Sequence, residues 1–381
     1  MPNIVTRIYN FVQRLLLHSS RYRWYVFTPR VSRATIAPLL ADGRESASCG
    51  GESAAGYRQY AAGGPLMERT EVAAGSTDDG AWRRVPPRQL DANRCLTAKR
   101  VVYLCDGRTV AGGLADRFKG LLSVYALCRE AGYEFRMCYT SPFALADYLE
   151  PDGYDWRIGP DELNPSAAAM LVLENTDDSD YQSRRQAEWL RRRMAEGPQE
   201  MHVITNSNYA YTLDYADLFR QLFRPSPRLA AALQAERERL GQYVTVNARF
   251  LTKLGDFRET DGGTALPAAE ARSLIERCMA QIAALHDRHP HHVVLVNSDS
   301  MRFLAEAQRL PYVRVVEGRV AHTDLMAREG VEDAHMKLFL DFLLIAQADA
   351  IYLLHTPPMR ISGFPYAASR LAGREMRVIE F

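Results

Sequence analysis

The fold is decided by the sequence VVYL at residues 101–104, GGLADR at residues 112–117 and LLSVYALC at residues 121–128. The first stretch is apolar and predicts a buried strand, and the last has the spacing of an amphipathic helix. Gly112 and Gly113 lie between them, where glycine permits positive φ angles and close approach of a ligand to the backbone. The stretch therefore predicts a strand, a glycine loop and a helix. The loop is either a ligand site or a purely structural turn.

Length and composition indicate a globular protein with two domains. The chain has 381 residues, of which 47% are hydrophobic and 24% are charged, and this length is sufficient for two full cores. Its 47 Lys and Arg residues against 46 Asp and Glu residues give a net charge of +1, which argues against nucleic acid as a partner. The six cysteines show neither C-x-x-C spacing nor a disulfide pattern, so we expect a reducing, cytoplasmic location.

Residues 1–40 are expected to form a basic amphipathic arm that is separate from the folded domains. The first 33 residues contain six arginines and no acidic residue. Their apolar residues recur at helical spacing on a different face from Arg7, Arg14 and Arg21, as in a helix on a membrane surface. A helix docked on the protein's own core and a partner-binding arm are the alternatives. The apolar stretch is too interrupted for a signal peptide or a membrane span, so peripheral contact at the inner face is the membrane hypothesis.

The remaining sequence predicts a linker followed by two α/β domains. Residues 41–99 have no sustained hydrophobic period and predict a poorly ordered linker. After residue 99, strand-like and helix-like segments alternate, which indicates parallel sheets covered on both faces. Prolines at positions 225 and 227 mark a hinge, so the predicted domains are residues 100–225 and 226–381. The predicted fold class is α/β, with two doubly wound Rossmann-like domains that face a cleft.

An arginine ends the predicted strand VTVNARF, residues 244–250. A guanidinium at the end of a buried strand is unfavourable unless an anion meets it, and its two-pronged donor geometry suits a diphosphate. Arg249 is therefore a candidate phosphate ligand, with an ion pair to Asp256 as the alternative. The sequence SDS at residues 298–300 follows another predicted strand. These side chains either cap the next helix or contact the ribose or guanine of a nucleotide.

A third motif, SGF at residues 362–364, precedes Pro365. Because proline is favoured in the first turn of a helix, the motif predicts a helix N-terminus. Such a terminus can bind an anion, and an ordinary capping loop is the alternative.

Together, these motifs and their order resemble the GDP-fucose-dependent fucosyltransferase superfamily, which includes α1,2-, α1,6- and protein O-fucosyltransferases and bacterial relatives from polysaccharide loci. The resemblance covers roughly residues 100–380. It is carried by GGLADR at 112–117, Arg249 with Asp256, SDS at 298–300, Asp341 with Asp349, and SGF at 362–364. The superfamily usually has His-x-Arg in its first motif, and this chain has Asn247 in the place of the histidine.

The resemblance implies a GT-B fold, with an acceptor domain first and a nucleotide-sugar domain second. It also implies an inverting transferase in which Arg249 binds the β-phosphate and stabilises the departing GDP, while Asp299 and Ser300 contact guanosine. The candidate donor-binding residues are Gly112, Gly113, Asn247, Asp299, Ser300, Ser362, Gly363 and Phe364. Asp116 is the candidate general base, with a salt bridge to Arg117 as the alternative. Arg117, Asp256 and His322 are further candidates for contact with a substrate.

No metal and no cofactor are expected, and the expected substrates are a nucleotide sugar and a glycan acceptor of polysaccharide biosynthesis. A D-x-D pattern at residues 178–180 is typical of metal-dependent glycosyltransferases, but Ser179 and Gln182 form a capping box that favours a structural role. Four histidines between residues 286 and 292 are assigned to a surface turn. A catalytically silent nucleotide- or glycan-binding relative, suggested by Asn247, and a GT-B enzyme for another nucleotide sugar are the alternative functions.

Overall fold

The computed structural model of the chain contains two units, each built on a five-stranded parallel sheet. It describes residues 23–27, 67–69, 82–84, 99–106, 112–163, 168–173, 180–197, 199–257, 263–323 and 332–381. The first unit contains the described residues before Gly112, together with Arg117–Ser141 and Asp155–Leu213; the second contains Gly112–Asp116, Pro142–Tyr154 and Asp214–Phe381. Among the described residues, no helix is long and apolar enough to cross a membrane.

The elements are numbered in chain order. The strands are β1 (Arg23–Phe27), β2 (Met67–Arg69), β3 (Trp82–Arg84), β4 (Arg100–Cys105), β5 (Glu134–Tyr139), β6 (Leu149–Pro151), β7 (Ala168–Leu173), β8 (Glu200–Thr205), β9 (Phe223–Pro225), β10 (Tyr243–Ala248), β11 (Val293–Ser298), β12 (Val313–Arg314), β13 (Ile351–His355) and β14 (Met376–Glu380). The α-helices are α1 (Leu114–Ala131), α2 (Asp180–Ala195), α3 (Tyr215–Leu222), α4 (Pro227–Leu240), α5 (Ala268–Arg288), α6 (Met301–Ala307), α7 (Glu332–Gln347) and α8 (Gly363–Ala372).

The first unit has the strand order β1-β7-β8-β4-β5. Val101 and Val102 of β4 are fully buried, as expected for a parallel strand that is covered on both faces. At the amino ends of β4 and β8, the buried carboxylate of Glu200 contacts His202 and accepts a hydrogen bond from Arg100 Nε at 2.7 Å. This charged cluster ties β4 to β8, and the apolar pattern of the sequence did not predict it.

Strand β1 corrects the predicted N-terminal arm. It pairs in parallel with β7, from Arg23 opposite Ala169 to Phe27 opposite Leu173. Its backbone thus supplies hydrogen-bonding partners to β7, so these residues belong to the sheet and are not a separate arm. Strands β2 and β3, within the predicted linker, pair with each other in antiparallel fashion. The predicted basic helix of the arm, with Arg7, Arg14 and Arg21, lies outside the described residues.

The second unit has the strand order β12-β11-β10-β13-β14. The chain starts at the central strand β10, builds outward through β11 and β12, and then returns to add β13 and β14 on the other side. Val244 and Val246 of β10 pack in one core cluster with residues of α5 and α6. On the opposite face, the hydroxyl of Tyr243 donates to the main-chain oxygen of Leu344 in α7 at 2.8 Å. Helices therefore cover both faces, and the predicted α/β fold with Rossmann-like parallel sheets is confirmed.

A segment from the first predicted domain packs within the second unit. Strand β6 pairs in antiparallel fashion with β9, and the N–H of Ser226 donates to the main-chain oxygen of Tyr148 at 2.8 Å. The Tyr148 ring stacks on Phe339 of α7, with centroids 4.6 Å apart. These contacts join residues that are far apart in the sequence, so local patterns do not predict them. The predicted domain boundary after Pro225 therefore separates Tyr148 from the unit to which it belongs.

Gly120 provides a test of the packing of α1 in the first unit. A Cβ at this position would overlap the main-chain carbonyl of Thr205, with the carbonyl carbon only 2.8 Å away. Alanine normally stabilises a helix interior by about 1 kcal/mol relative to glycine. Here we expect Gly120→Ala to lower the free energy of unfolding by about 3 kcal/mol, because the backbone at the end of β8 would have to move.

Urea-induced unfolding measures this difference. Gly363→Ala is the matched control, since a Cβ at Gly363 meets no atom within 4 Å, and its stability should equal that of the wild type. A Gly120→Ala protein as stable as the wild type would show that α1 does not approach β8 as closely as the structure indicates.

Candidate functional site

The carboxyl ends of β10 and β13 form the switch point of the second sheet, where the direction of chain winding reverses. Ligands of open α/β sheets bind in the crevice outside the strand ends at such a point. After β13 the chain turns back, and the N–H of Arg360 donates to the main-chain oxygen of Arg249 at 3.0 Å. This hydrogen bond brings the segment that leads into α8 to the end of β10, so two of the predicted motifs meet at the switch point.

The first turn of α8 is open to solvent at Gly363. Ser362 is the N-cap residue, and its Oγ accepts a hydrogen bond from the N–H of Phe364 at 3.3 Å. A Cβ at Gly363 would meet no atom within 4 Å, which leaves room for a ligand close to the backbone. The Phe364 ring packs edge-on against Phe342 of α7 at 5.4 Å. Because Ser362 takes the N–H of Phe364 and Pro365 has no N–H, the N–H of Gly363 and the helix dipole are what this turn offers an anion.

Asp299 holds the turn that follows β10. Its Oδ1 accepts from the N–H of Phe250 and its Oδ2 accepts from the N–H of Leu251, both at 2.8 Å. Leu251 has a φ of +55°, a conformation that is uncommon for a residue other than glycine. Burial raises the pKa of Asp299, while its hydrogen bond from Phe250 and the charge of Arg249 oppose that shift. The carboxylate therefore lies beside Arg249 and stabilises the turn from which Arg249 projects.

Ser300 and Asp256 both contact the start of α6. Ser300 Oγ accepts from the N–H of Phe303 at 3.1 Å, and its hydroxyl donates to Asp256 Oδ2 at 3.0 Å. The same Oδ2 accepts from the N–H of Arg302 at 2.7 Å. Ser300 is thus the N-cap residue of α6, as one alternative of the sequence analysis proposed. Contact of Asp299 and Ser300 with guanosine stays a prediction.

The glycine loop before α1 is stabilised by Asp116. Gly112 has a φ of +77°, and Asp116 Oδ2 accepts a hydrogen bond from the N–H of Gly113 at 3.2 Å. A Cβ on Gly112 would lie 2.9 Å from the same oxygen, so both the backbone angle and the available space require glycine. Asp116 has a local structural role, and its role as a general base stays a prediction.

Arg117 is buried within the first unit, with 3% of its surface exposed. Its Nη1 lies 2.8 Å from Cys105 Sγ and donates to the main-chain oxygen of Ser141 at 2.7 Å. The same atom is 3.2 Å from the hydroxyl of Tyr139. These contacts fasten the ends of β4 and β5, so Arg117 supports the strand ends and does not face solvent, which disfavours direct substrate contact.

Among the described residues, no cluster of three or more His, Cys, Asp or Glu side chains could hold a metal ion. His286 stacks on Tyr312, with centroids 3.7 Å apart, and His289 Nε2 is 2.8 Å from the hydroxyl of Tyr352. The predicted structural role of this histidine group agrees with these contacts. Asp178 of the D-x-D pattern lies outside the described residues. The ring of His322 packs edge-on at 6.4 Å from Phe257.

Two buried polar features of the second unit have no role predicted from the sequence, although Asp341 is one of the motif residues. Asp341 forms an ion pair with Lys337, with Oδ2 and Nζ 2.9 Å apart, and Lys337 Nζ also donates to the main-chain oxygen of Val316 at 3.0 Å. Burial raises the pKa of Asp341, and the charge of Lys337 lowers it. Asn297 of β11 is the other feature; its only signal in the sequence is a polar residue one position before the end of an apolar strand.

The contacts of Asp299 predict that it is needed for stability. We expect Asp299→Ala to lower the free energy of unfolding by about 2–4 kcal/mol, because two buried N–H groups would lose their acceptor. Asp299→Asn keeps one carbonyl oxygen in place and should have intermediate stability. Equilibrium unfolding in urea gives the order of the three proteins. Unchanged stability of Asp299→Ala, together with weaker GDP binding, would instead make ligand contact the main role of this carboxylate.

Comparison with known proteins found similarity at the level of solved structures. No family model and no curated protein matches the sequence. The chain is similar to the α-1,6-fucosyltransferase NodZ from Bradyrhizobium. The match to NodZ co-crystallised with GDP has 16% sequence identity and a TM-score of 0.47, and it covers 75% of this chain and 96% of NodZ. It is also similar to POFUT1 in complex with GDP, with 12% identity, coverage of 74% and 98%, and a TM-score of 0.42.

Proposed function

We propose that this chain is an inverting glycosyltransferase that transfers fucose from GDP-fucose to a hydroxyl of a glycan acceptor. The observation that carries the proposal is the hydrogen bond from the N–H of Arg360 to the oxygen of Arg249. It supports a site in which a guanidinium and the open N-terminus of α8 serve the same ligand at the switch point. The choice of GDP-fucose as donor rests on the resemblance of the motifs.

The proposed chemistry requires stabilisation of a diphosphate leaving group. As the bond between the sugar and the β-phosphate breaks, negative charge grows on the departing GDP. The guanidinium of Arg249 and the positive end of the α8 dipole, with the N–H of Gly363, are suited to that charge. Asp299, held by the N–H groups of Phe250 and Leu251, keeps the base of Arg249 in a fixed position. No metal is needed in this scheme, because these groups supply the positive charge.

The acceptor hydroxyl must lose a proton as it attacks the sugar. We propose Asp116, which belongs to the second unit, as the general base, and separately the first unit as the acceptor-binding unit. The glycine loop supports the choice of Asp116, since Gly112 and Gly113 have no side chains that cover the backbone around it. We further propose that the arginines among residues 1–33 bring the protein to an anionic membrane surface, where the acceptor of polysaccharide biosynthesis is assembled.

One observation favours a second candidate function, a catalytically silent relative that binds the nucleotide. Asn247 occupies the place of the superfamily's histidine, and its Nδ2 donates to the main-chain oxygen of Tyr352 at 2.8 Å. An amide cannot take up or release a proton near neutral pH as an imidazole can. If the histidine's chemistry is essential, this chain would bind GDP-fucose and not turn it over.

Donor specificity and metal independence can be tested together. We expect hydrolysis or transfer with GDP-fucose, and none with GDP-mannose or UDP-glucose, at an unchanged rate in excess EDTA. Release of GDP or UDP is the measurement. A complete loss of turnover that Mn²⁺ or Mg²⁺ restores would contradict the phosphate site proposed here. Thermal stabilisation by GDP, by about 2.7 kcal/mol at one hundred times Kd, without any turnover would favour the silent relative.

Arg249 can be tested by substitution. Arg249→Ala should lower kcat by about 10²- to 10³-fold, the usual effect of losing one preorganised donor. Arg249→Lys should recover only part of this loss, because the ammonium keeps the charge and loses the two-pronged geometry.

The control is Arg272→Ala, which removes an exposed arginine from α5 and should leave kcat unchanged. Thermal unfolding of each variant separates catalysis from folding. A stable Arg249→Ala protein with wild-type kcat would rule out the proposed role of this guanidinium.

A further inference from the structure

Two asparagines lie side by side near the carboxyl edge of the second sheet. Asn247 of β10 is paired in register with Asn297 of β11, so both side chains are on the same face of the sheet. This is the face covered by α7, because Tyr243, on the same side of β10, reaches the oxygen of Leu344. The two asparagines are almost fully buried, with 3% and 5% of their surfaces exposed.

Three of the four polar atoms of these two amides have no hydrogen-bonding partner. Asn247 Nδ2 donates to the main-chain oxygen of Tyr352, whereas Asn247 Oδ1 and both Oδ1 and Nδ2 of Asn297 are unpaired. Buried polar atoms are almost always paired in native structures. Two buried asparagines with unpaired atoms in otherwise apolar strands therefore indicate that another group forms hydrogen bonds with them.

The position of the pair connects it to the candidate site. Asn247 precedes Arg249 by two residues, and Asn297 precedes Asp299 by two residues, so the amides lie one strand repeat, about 6.6 Å, deeper in the sheet. Only one residue pair, Ala248 and Ser298, separates them from the strand ends. The amides therefore lie one strand repeat below the ends of β10 and β11, where Arg249 and Asp299 follow.

The unpaired atoms define the chemistry of the missing group. Asn247 Oδ1 is an acceptor, and Asn297 Nδ2 is a donor. A hydroxyl satisfies both atoms, because it donates one hydrogen bond and accepts others. A phosphate oxygen satisfies the donor and is repelled by the carbonyl oxygen, so it fits the pair poorly.

We propose that Asn247 and Asn297 form a subsite for one hydroxyl of the nucleotide sugar, which donates to Asn247 Oδ1 and accepts from Asn297 Nδ2. This inference rests on the proposed function, since it takes the nucleotide sugar as the ligand of the switch point. The hydroxyl belongs either to the ribose or to the transferred sugar. Asn297 thereby becomes a specificity-determining residue that the motifs do not include.

The test is calorimetric titration of the full chain with GDP and with GDP-fucose. Asn297→Leu replaces the amide by an apolar side chain of similar size, and Asn297→Ala is a second variant that leaves space. Both should weaken binding by about 3- to 10-fold, the effect of losing one neutral hydrogen bond. An equal loss for the two ligands assigns the hydroxyl to the ribose, and a loss for GDP-fucose alone assigns it to the sugar.

Thr245→Val is the matched control. Thr245 is on the same face, one repeat farther from the strand end, and its buried Oγ1 is also unpaired. Valine has nearly the same shape, so both dissociation constants should equal those of the wild type. Thermal unfolding of all variants checks that each protein is folded.

Two outcomes would overturn the subsite while leaving the proposed function intact. Wild-type affinity of both Asn297 variants for both ligands would mean that the amides contact only buried water. Equal weakening by Thr245→Val and Asn297→Leu would mean that binding responds to any change of this face. A wild-type protein that binds neither GDP nor GDP-fucose would instead contradict the proposed function, and the subsite with it.

Discussion

The carboxylate of Asp299 is the constraint on which the geometry of the second unit depends. Its two oxygens bind the N–H groups of Phe250 and Leu251 and so hold a turn with an unfavourable backbone angle directly after Arg249. Because the turn is fixed, the guanidinium leaves the sheet at a fixed point. The N–H of Arg360 then attaches the next crossing segment to the same point. A carboxylate that accepts hydrogen bonds from the backbone thus determines where the arginine of the proposed phosphate site leaves the sheet.

The two faces of the second sheet are chemically unequal. Val244 and Val246 belong to an apolar core under α5 and α6, whereas the opposite face carries Asn247 and Asn297 near its carboxyl edge, with unpaired polar atoms. The first face contributes to stability through buried apolar area. The second retains polar groups that weaken the isolated protein and match a polar ligand. This division separates the part of the sheet that folds the unit from the part that we assign to binding.

The sequence predicted those parts of the fold whose signal is local. Apolar strands such as β4 and β10 were predicted because burial on both faces produces a continuous apolar run, and Arg249 was recognised because it interrupts one. Strand β14 was missed because it is largely exposed and has no apolar run. Asn297 was missed because its importance depends on its neighbour in the sheet, which sequence spacing does not give. The packing of Tyr148 on Phe339 is likewise a contact between distant residues.

The parallel pairing of β1 with β7 has a consequence for how the chain folds during synthesis. Arg23 leaves the ribosome long before its partner Ala169. Parallel pairing between such distant segments is slow, because a long loop must close before any hydrogen bond forms. Until then the backbone groups of β1 are available to other chains. Strand β1 therefore benefits from protection by a chaperone until β7 has been synthesised.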